Sequence, residues 1–339
     1  MKNFDALTYR GKARRLRQLA INALRQYPFE IARLRLIGIY TNTLFRVDTT
    51  DGATYVIRVC NPNWRTEDDL RSEAIWLQAL DRDTDIGAPK PIPACNGDLT
   101  VTAHADSVPE PRRCIVMSWV PGRPLGTALT EKNLYSMGGL FARIHEYSAG
   151  FVPPANGFTR RKMDSVLARD EPHVLLSDDA RPAFTARNWA VFERIMAAVT
   201  HAFEQLYADG AGLRVIHNDL HHDNIHLYRG HLYPLDFEDT IWGYPVQDIA
   251  MALQDLMLDI PPEQYEPLME QFHAGYTILT PWPEQYAGQI DTFRVGRMLW
   301  VANYVARYEQ AYLESHINRI TPLFERFLDT GQLRLPETP

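Results

Sequence analysis

The stretch VIHNDLHHDNIHLYRGHLYPLDFED, residues 215–239, is the densest collection of reactive groups in the chain. His217, His221, His222, His226 and His231 are interleaved there with Asp219, Asp223, Asp236 and Asp239. Two chemistries compete for such a run. Zinc held by imidazoles would use His217 and His221, four residues apart, but the helical zinc-protease motif needs Glu directly after its first His. Asn218 stands there instead, and the flanks VI and IHLY read as strand, so the two imidazoles would not share a helix face. Carboxylate chemistry fits better. His217-Asn218-Asp219-Leu220-His221-His222-Asp223-Asn224 has the spacing H-x-D-L-x-x-x-N, and Asp236-Phe237 begins twelve residues after Asn224. Phosphoryl transfer asks for a carboxylate that orients an acceptor hydroxyl and takes its proton, which is the place of Asp219. It also asks for hard oxygen ligands for Mg2+, which the Asn224 amide and the Asp236 carboxylate supply. The plainer alternative is an Asp/Asn-rich turn that only caps loops.

The elements around this stretch change character near residue 120. Before it lie short β-like runs: IARLRLIGIY, NTLFRV, TYVIRV, DLTVTA and RCIVMSWV. The second and third are joined through Asp51-Gly52, a strong hairpin turn signal. One helix interrupts them, TEDDLRSEAIWLQAL, with Thr66 as N-cap and Asp69 three residues on in a capping-box arrangement. After residue 120 the pattern is helical, over TEKNLYSMGGLFARIHEY and then roughly 184–209, 246–259, 261–279, 284–313 and 315–330. Within this half, IHLY-RG-HLYPL reads as two short strands around a turn, and PGRPLG (121–126) as a Pro/Gly hinge between the halves. The expectation is an α+β, bilobal arrangement: an N-terminal helix (1–26), a small antiparallel-sheet N-lobe (27–119) and a larger, mostly helical C-lobe (120–339).

The composition suits that outline. A chain of 339 residues with 45% hydrophobic and 23% charged residues is ordinary for a globular protein and long enough for two lobes. The net charge of −7 argues against binding nucleic acid through its phosphates. The basic helix with Lys12, Arg14, Arg15 and Arg17 is interleaved with Leu16, Leu19 and Ile21, so a solvated face explains it better than a membrane or nucleic-acid contact. Cys60, Cys95 and Cys114 are odd in number and widely spaced, as free thiols in a reducing compartment would be. No run has the length of a signal-peptide core or a membrane span, so a cytoplasmic protein with no membrane partner is expected.

VIHNDLHHDN followed by LDFEDTIWGYPVQDIAMAL resembles the aminoglycoside phosphotransferase and choline kinase family, the small-molecule branch of the protein-kinase-like fold. The likeness runs from about residue 30 to about 310. It implies Asp219 as catalytic base, Asn224 and Asp236 as Mg2+ ligands, ATP or GTP as co-substrate, and His217 as support of the catalytic loop. Asp248 of VQDIA resembles a buried Asp that braces that loop; a helix-start acid acting on the helix dipole would look the same. RCIVMSWVPGRPL resembles the hinge that receives the nucleotide base, which would place Met117, Ser118, Trp119 and Val120 at the pocket edge. Glu73 matches the helix glutamate that pairs with a strand lysine, but Arg58 stands at the lysine position. A guanidinium forks across two oxygens where an ammonium is a point charge. The phosphate loop LIGIYTNTLF lacks the usual glycines and offers Gly38, with Thr41 and Asn42 as phosphate contacts. Glu238 replaces the Gly of a D-F-G segment and no A-P-E follows, which argues against a protein kinase with an activation loop.

The resemblance therefore implies transfer of a nucleotide γ-phosphate to a hydroxyl of a small molecule. Two rivals stay open: a stress-response-type Ser/Thr protein kinase on the same fold, and a catalytically inactive nucleotide-binding scaffold. For the acceptor, Glu238, Asp239, Trp242, Trp300 and Tyr304 could hold an ammonium group by ionic and cation–π contacts. The Trp300-Tyr304-Tyr308 stripe nevertheless reads first as the buried side of a long helix. Choline-like, amino-sugar and homoserine-like acceptors all fit, and the oligomeric state is not legible.

Overall fold

The computed structural model describes residues 3–167 and 171–333. Its chain divides into two compact units. The first takes the chain up to Arg123, Val152–Thr159 and His226–Glu238; the second takes Pro124–Phe151, Arg160–Ile225 and the chain from Asp239 onward. Beyond the chain up to Arg123, the first unit thus takes two later segments, Val152–Thr159 and the hairpin 226–238.

The first unit is built on a five-stranded antiparallel sheet of order β1-β2-β3-β5-β4. Its strands are β1 (Ile31–Ile39), β2 (Thr43–Thr49), β3 (Thr54–Val59), β4 (Thr100–Ala103) and β5 (Arg112–Ser118). The β2–β3 turn closes at Gly52, whose φ of 87° is the left-handed conformation, while Asp51 accepts from the Ala53 N–H at 3.2 Å. Alternation then decides burial. Phe45, Val47, Ile57, Val59 and Val116 turn inward and meet Leu16, Leu19 and Leu24 of α1 (Tyr9–Leu24). That packing explains the N-terminal helix: its apolar stripe belongs to the sheet core, Arg10, Arg14 and Arg17 face out, and the half-buried Arg15 donates to the Ser107 carbonyl at 3.1 Å. The helix α2 (Glu67–Asp83) starts at Thr66, whose hydroxyl accepts from Asp69 N at 3.2 Å while Asp69 accepts from Thr66 N at 3.1 Å. This reciprocal cap fixes where α2 begins and hence where Glu73, about two turns on, points.

The second unit is helical, with α3 (Glu131–Gly150), α4 (Ala186–Leu206), α5 (Pro245–Asp259), α6 (Pro262–Thr277), α7 (Gln289–Tyr308) and α8 (Leu313–Thr330). The two-residue strand β6 (Arg123–Pro124) precedes α3, and two short strands of the second unit, β7 (Arg214–Ile216) and β10 (Ile241–Gly243), pair antiparallel. The helices α3 and α6 approach unusually closely. A Cβ on Gly138 would lie 1.9 Å from the Phe272 carbonyl oxygen, and one on Gly275 would lie 1.9 Å from that of Tyr135. Only glycine permits that approach, and it brings Tyr276 to His145. The stretch expected as one helix over 284–313 is instead α7, closed at Glu309 and followed by a single 3-10 turn before α8. Between the two functional loops, strands Ile225–Tyr228 (β8) and His231–Pro234 (β9) turn at Arg229-Gly230, both with positive φ, as a two-residue hairpin requires. No helix among the described residues is long and apolar enough to cross a membrane.

Candidate active site

The candidate residues fall into two groups, one in each unit. In the second unit, β7 ends at Ile216 and the chain enters the loop of His217, Asn218 and Asp219. Asn218 has φ of 67°, a conformation that Asn adopts at less cost than most side chains, so the unusual residue of the motif suits its backbone. Asp248, fully buried in the first turn of α5, holds the loop in place. Its Oδ1 accepts from Asn218 N at 2.6 Å, and its Oδ2 accepts from His217 N at 3.1 Å. The buried His145 Nε2 lies 3.0 Å from the same Oδ2, and the Tyr276 hydroxyl lies 3.1 Å from His145 Nδ1. Asp248 thus stands in the first turn of α5 and also accepts from two backbone N–H groups of the loop. Burial by itself would raise its pKa, but the bond to His145, the charges of His145 and His217 and the Asn218 N–H outweigh it and hold the carboxyl below its usual range. His217 is itself buried, and its Nδ1 accepts from Asp219 N at 3.3 Å.

Asp219 is three-quarters buried and its carboxylate is gripped from two sides. Asn224 Nδ2 donates to Asp219 Oδ2 at 3.2 Å and to the Asp219 carbonyl at 2.9 Å. These bonds commit the amide nitrogen of Asn224 and turn its oxygen, a hard donor suited to Mg2+, away from them. From α7, Arg297 donates to Asp219 Oδ1 at 3.1 Å. Sequence reading missed Arg297 and also Asp255 of α5. Burial pushes Asp255 up from the carboxylate range against the pull of Arg297 and His221, and the Asp219 charge adds to the rise. Neither had a signal in sequence, because each meets the catalytic loop only through packing.

Beyond Arg297 the stripe continues outward. Arg297 lies over the Trp300 ring at 4.4 Å, Trp300 donates to Glu171 at 2.8 Å, and Trp300 stacks on Tyr304 at 6.0 Å. Tyr304 and Tyr308 are 40% and 56% exposed, which corrects the reading of this stripe as core. The core side of α7 is Phe293, Val295, Leu299 and Ala302. Trp242 sits apart on β10, paired in register with Val215, and Asp239 closes the short 3-10 turn before it.

In the first unit, Arg58 lies in β3 opposite Ile115 of β5 and is buried, as is Glu73. Arg58 donates through one terminal nitrogen to Glu73. The other lies 3.7 Å from Asp236 and 3.9 Å from Glu238. Burial alone would lower the Arg58 pKa, but the Glu73 and Glu238 carboxylates more than offset it and keep the guanidinium charged. Its Nε and the Glu73 Oε1 are buried without hydrogen-bond partners, so the pair is single and not a two-bond fork. Asp236 has φ of 58° and a half-exposed side chain. This is a second left-handed Asx position, at the other functional loop.

Asn42 is placed differently from Thr41. Its amide donates to Glu238 and its oxygen accepts from Asn61 N at 2.8 Å, while Thr41 is exposed on the loop. Glu238 therefore belongs with Asn42 and Arg58 in the first unit, and Trp300 and Tyr304 belong to the second. Along the hinge, Ser118 N donates to the Lys90 carbonyl at 2.8 Å, Trp119 N donates to the Thr54 carbonyl at 3.2 Å, and Arg46 stacks on the Trp119 ring at 4.7 Å. Met117 and Val120 are buried.

A carboxylate on a braced loop beside an amide oxygen suited to Mg2+, in the second unit, and a charged arginine among carboxylates, in the first, are the kinds of group that phosphoryl transfer uses, and the fold is protein-kinase-like. Residues 33–282 match the model of the phosphotransferase enzyme family, and the chain belongs to that family. It is a phosphotransferase. Among curated relatives, amicoumacin kinase of Bacillus subtilis (strain 168) is 22% identical over 266 residues, 76% of this chain and 75% of the relative. Among solved structures, a microcompartment-associated aminopropanol kinase superposes with a TM-score of 0.77 at 22% identity, over 94% of this chain and 99% of the other. An amicoumacin kinase in complex with AMP-PNP, Ca2+ and Ami gives 0.76 at 18% identity, over 93% and 96%. At these identities the superpositions establish the fold.

Proposed function

We propose that the chain moves the γ-phosphate of ATP or GTP to a hydroxyl of a small molecule: an amino alcohol, an amino sugar or a homoserine-like compound. In this reading Asp219 accepts the hydroxyl proton, Asn224 and Asp236 hold Mg2+, and Arg58, oriented by Glu73, meets the nucleotide phosphates. Mg2+ bound there would neutralise charge on the phosphates being parted. Thr41 is the phosphate-loop contact, the hinge Met117–Val120 edges the base, and Trp300 with Tyr304 forms the acceptor face. One observation carries the reading: the carboxylate of Asp219 is fixed by Asn224 on a loop whose own backbone N–H groups are held by the buried Asp248. A general base must sit within hydrogen-bond reach of the proton it takes, and that bracing provides the necessary fixity. The three free cysteines fit a reducing, cytoplasmic setting.

The test is transfer of labelled γ-phosphate with Mg2+ and ATP or GTP to a panel of amino alcohols, amino sugars and hydroxy amino acids, beside a peptide panel. Wild type should label a small molecule, and Asp219→Asn should not, while still binding nucleotide. Labelling of peptides alone would overturn the small-molecule reading, and full turnover by Asp219→Asn would overturn the choice of base.

A further inference from the structure

We propose that Arg297 is a positioning residue for the base: it fixes the orientation of the Asp219 carboxylate, and turnover depends on it. The proposal rests on Asp219 being the base.

The carboxylate torsion of Asp is broad and roughly two-fold, so one hydrogen bond leaves the group free to swing. Asn224 holds Oδ2 from within the loop, and Arg297 holds Oδ1 from α7 at 3.1 Å. Together they define the carboxylate plane. Arg297 is itself held, its guanidinium lying 4.4 Å over the Trp300 ring and Trp300 tied at 2.8 Å to Glu171. Its charge also faces Asp255, whose carboxyl feels both Arg297 and Asp219. Without the cation, two acids would confront each other beside the reacting hydroxyl. His221 and His222 act on the same Asp255 carboxyl, but Arg297 is the cation that donates to Asp219.

Stability alone does not account for such a residue. A largely buried ion pair gains little over apolar side chains of the same volume. Arg297 even leaves its Nε–H buried without a partner, a defect that methionine would remove. What methionine could not supply is the donor on Asp219 Oδ1. Misplacing a catalytic group by about 1 Å costs on the order of 100-fold in rate, and losing one hydrogen bond to a charged group about 10- to 100-fold.

The experiment compares Arg297→Met, Arg297→Lys, Arg297→Ala and Asp219→Asn in the full chain. Turnover of Mg2+-ATP is measured with the amino-alcohol, amino-sugar and hydroxy-amino-acid panel, and with water as background acceptor. Arg297→Met, which leaves the Asp219 carboxylate without its cation, should melt lower than wild type yet stay folded at the assay temperature and keep the wild-type KM for ATP, while losing about 10- to 100-fold in kcat. Arg297→Lys should recover part of the loss, and added guanidinium should rescue Arg297→Ala where urea does not. Wild-type kcat in Arg297→Met would overturn the proposal. So would a loss accompanied by unfolding that neither lysine nor guanidinium repairs. If Asp219→Asn also turns over normally, the base assignment falls and this proposal with it. If Asp219→Asn is inactive and Arg297→Met is not, only the positioning role fails.

Discussion

Replacing Asp248 with alanine removes the acceptor of three hydrogen bonds at once: from His217 N at 3.1 Å, from Asn218 N at 2.6 Å and from the His145 ring at 3.0 Å. Each bond to a charged acceptor is worth about 1.5–3 kcal/mol, but the three share one carboxylate and will not add. Breaking a buried charged cluster by removing one partner typically costs about 3–5 kcal/mol, because the donors left behind stay dry. For a unit of this size that corresponds to a fall in Tm of about 6–20 °C, at roughly 2–4 °C per kcal/mol. Asp248→Asn keeps the volume and one acceptor oxygen but turns an NH2 toward a backbone N–H, so its loss should be intermediate. The same carboxyl gives stability a pH dependence of definite sign. Its folded pKa lies below the unfolded value, so its contribution is complete above about pH 4 and fades as pH falls through the folded pKa. Asp248→Asn should therefore lose part of the acid sensitivity that wild type shows in this range. The assay is circular dichroism melting of wild type and both variants at neutral and acid pH. An alanine variant melting within about 2 °C of wild type, a shift worth no more than about 1 kcal/mol, would refute the bracing argument.

Arg58→Ala should lower kcat/KM by on the order of 100-fold, Arg58→Lys should restore part of it, and the double mutant with Glu73→Ala should be less than additive in steady-state kinetics. Asp236→Ala should abolish the Mg2+-dependent part of the thermal shift that ADP produces, whereas retention of that part would remove Asp236 from the metal site. Gly138→Ala should destabilise by about 1–3 kcal/mol in chemical denaturation, although alanine is the better helix former, because its Cβ would meet the Phe272 carbonyl at 1.9 Å.

The loop His217–Asn224, Asp236 and Asp248 stood out as candidates because they lie within 32 residues of one another. Their spacing there is nearly a geometry: a loop, a hairpin with an Arg-Gly turn, a second loop and a helix start. The strands and the β2–β3 hairpin were legible for a similar reason, since period-two alternation and an Asp-Gly turn are local facts, whereas the β3-β5-β4 order was not. What the sequence concealed is carried by contacts between distant positions. Arg297 reaches Asp219 across 78 residues, and nothing in GRMLW distinguishes an arginine that faces a carboxylate from one that faces water. Asn42 was readable as a phosphate contact from its loop, yet its amide is taken by Glu238, 196 residues away.

The break after α7 had no Gly or Pro to announce it, and Glu309 simply leaves the helical region with φ of −135°. The Trp300-Tyr304-Tyr308 stripe failed for a subtler reason. Aromatic residues at helical spacing predict a face, but whether that face meets protein or solvent depends on what packs against α7. Here the opposite side, with Phe293, Val295 and Leu299, takes the core. The exposed rings then cost the fold burial it could have had, while Arg297 at the head of the same stripe costs it a desolvated charge. Of these residues Arg297 is the one that donates to Asp219, and the rings run on from it through Trp300 along one face of α7. That continuity is what supports the proposal that the stripe contributes to the acceptor's binding face.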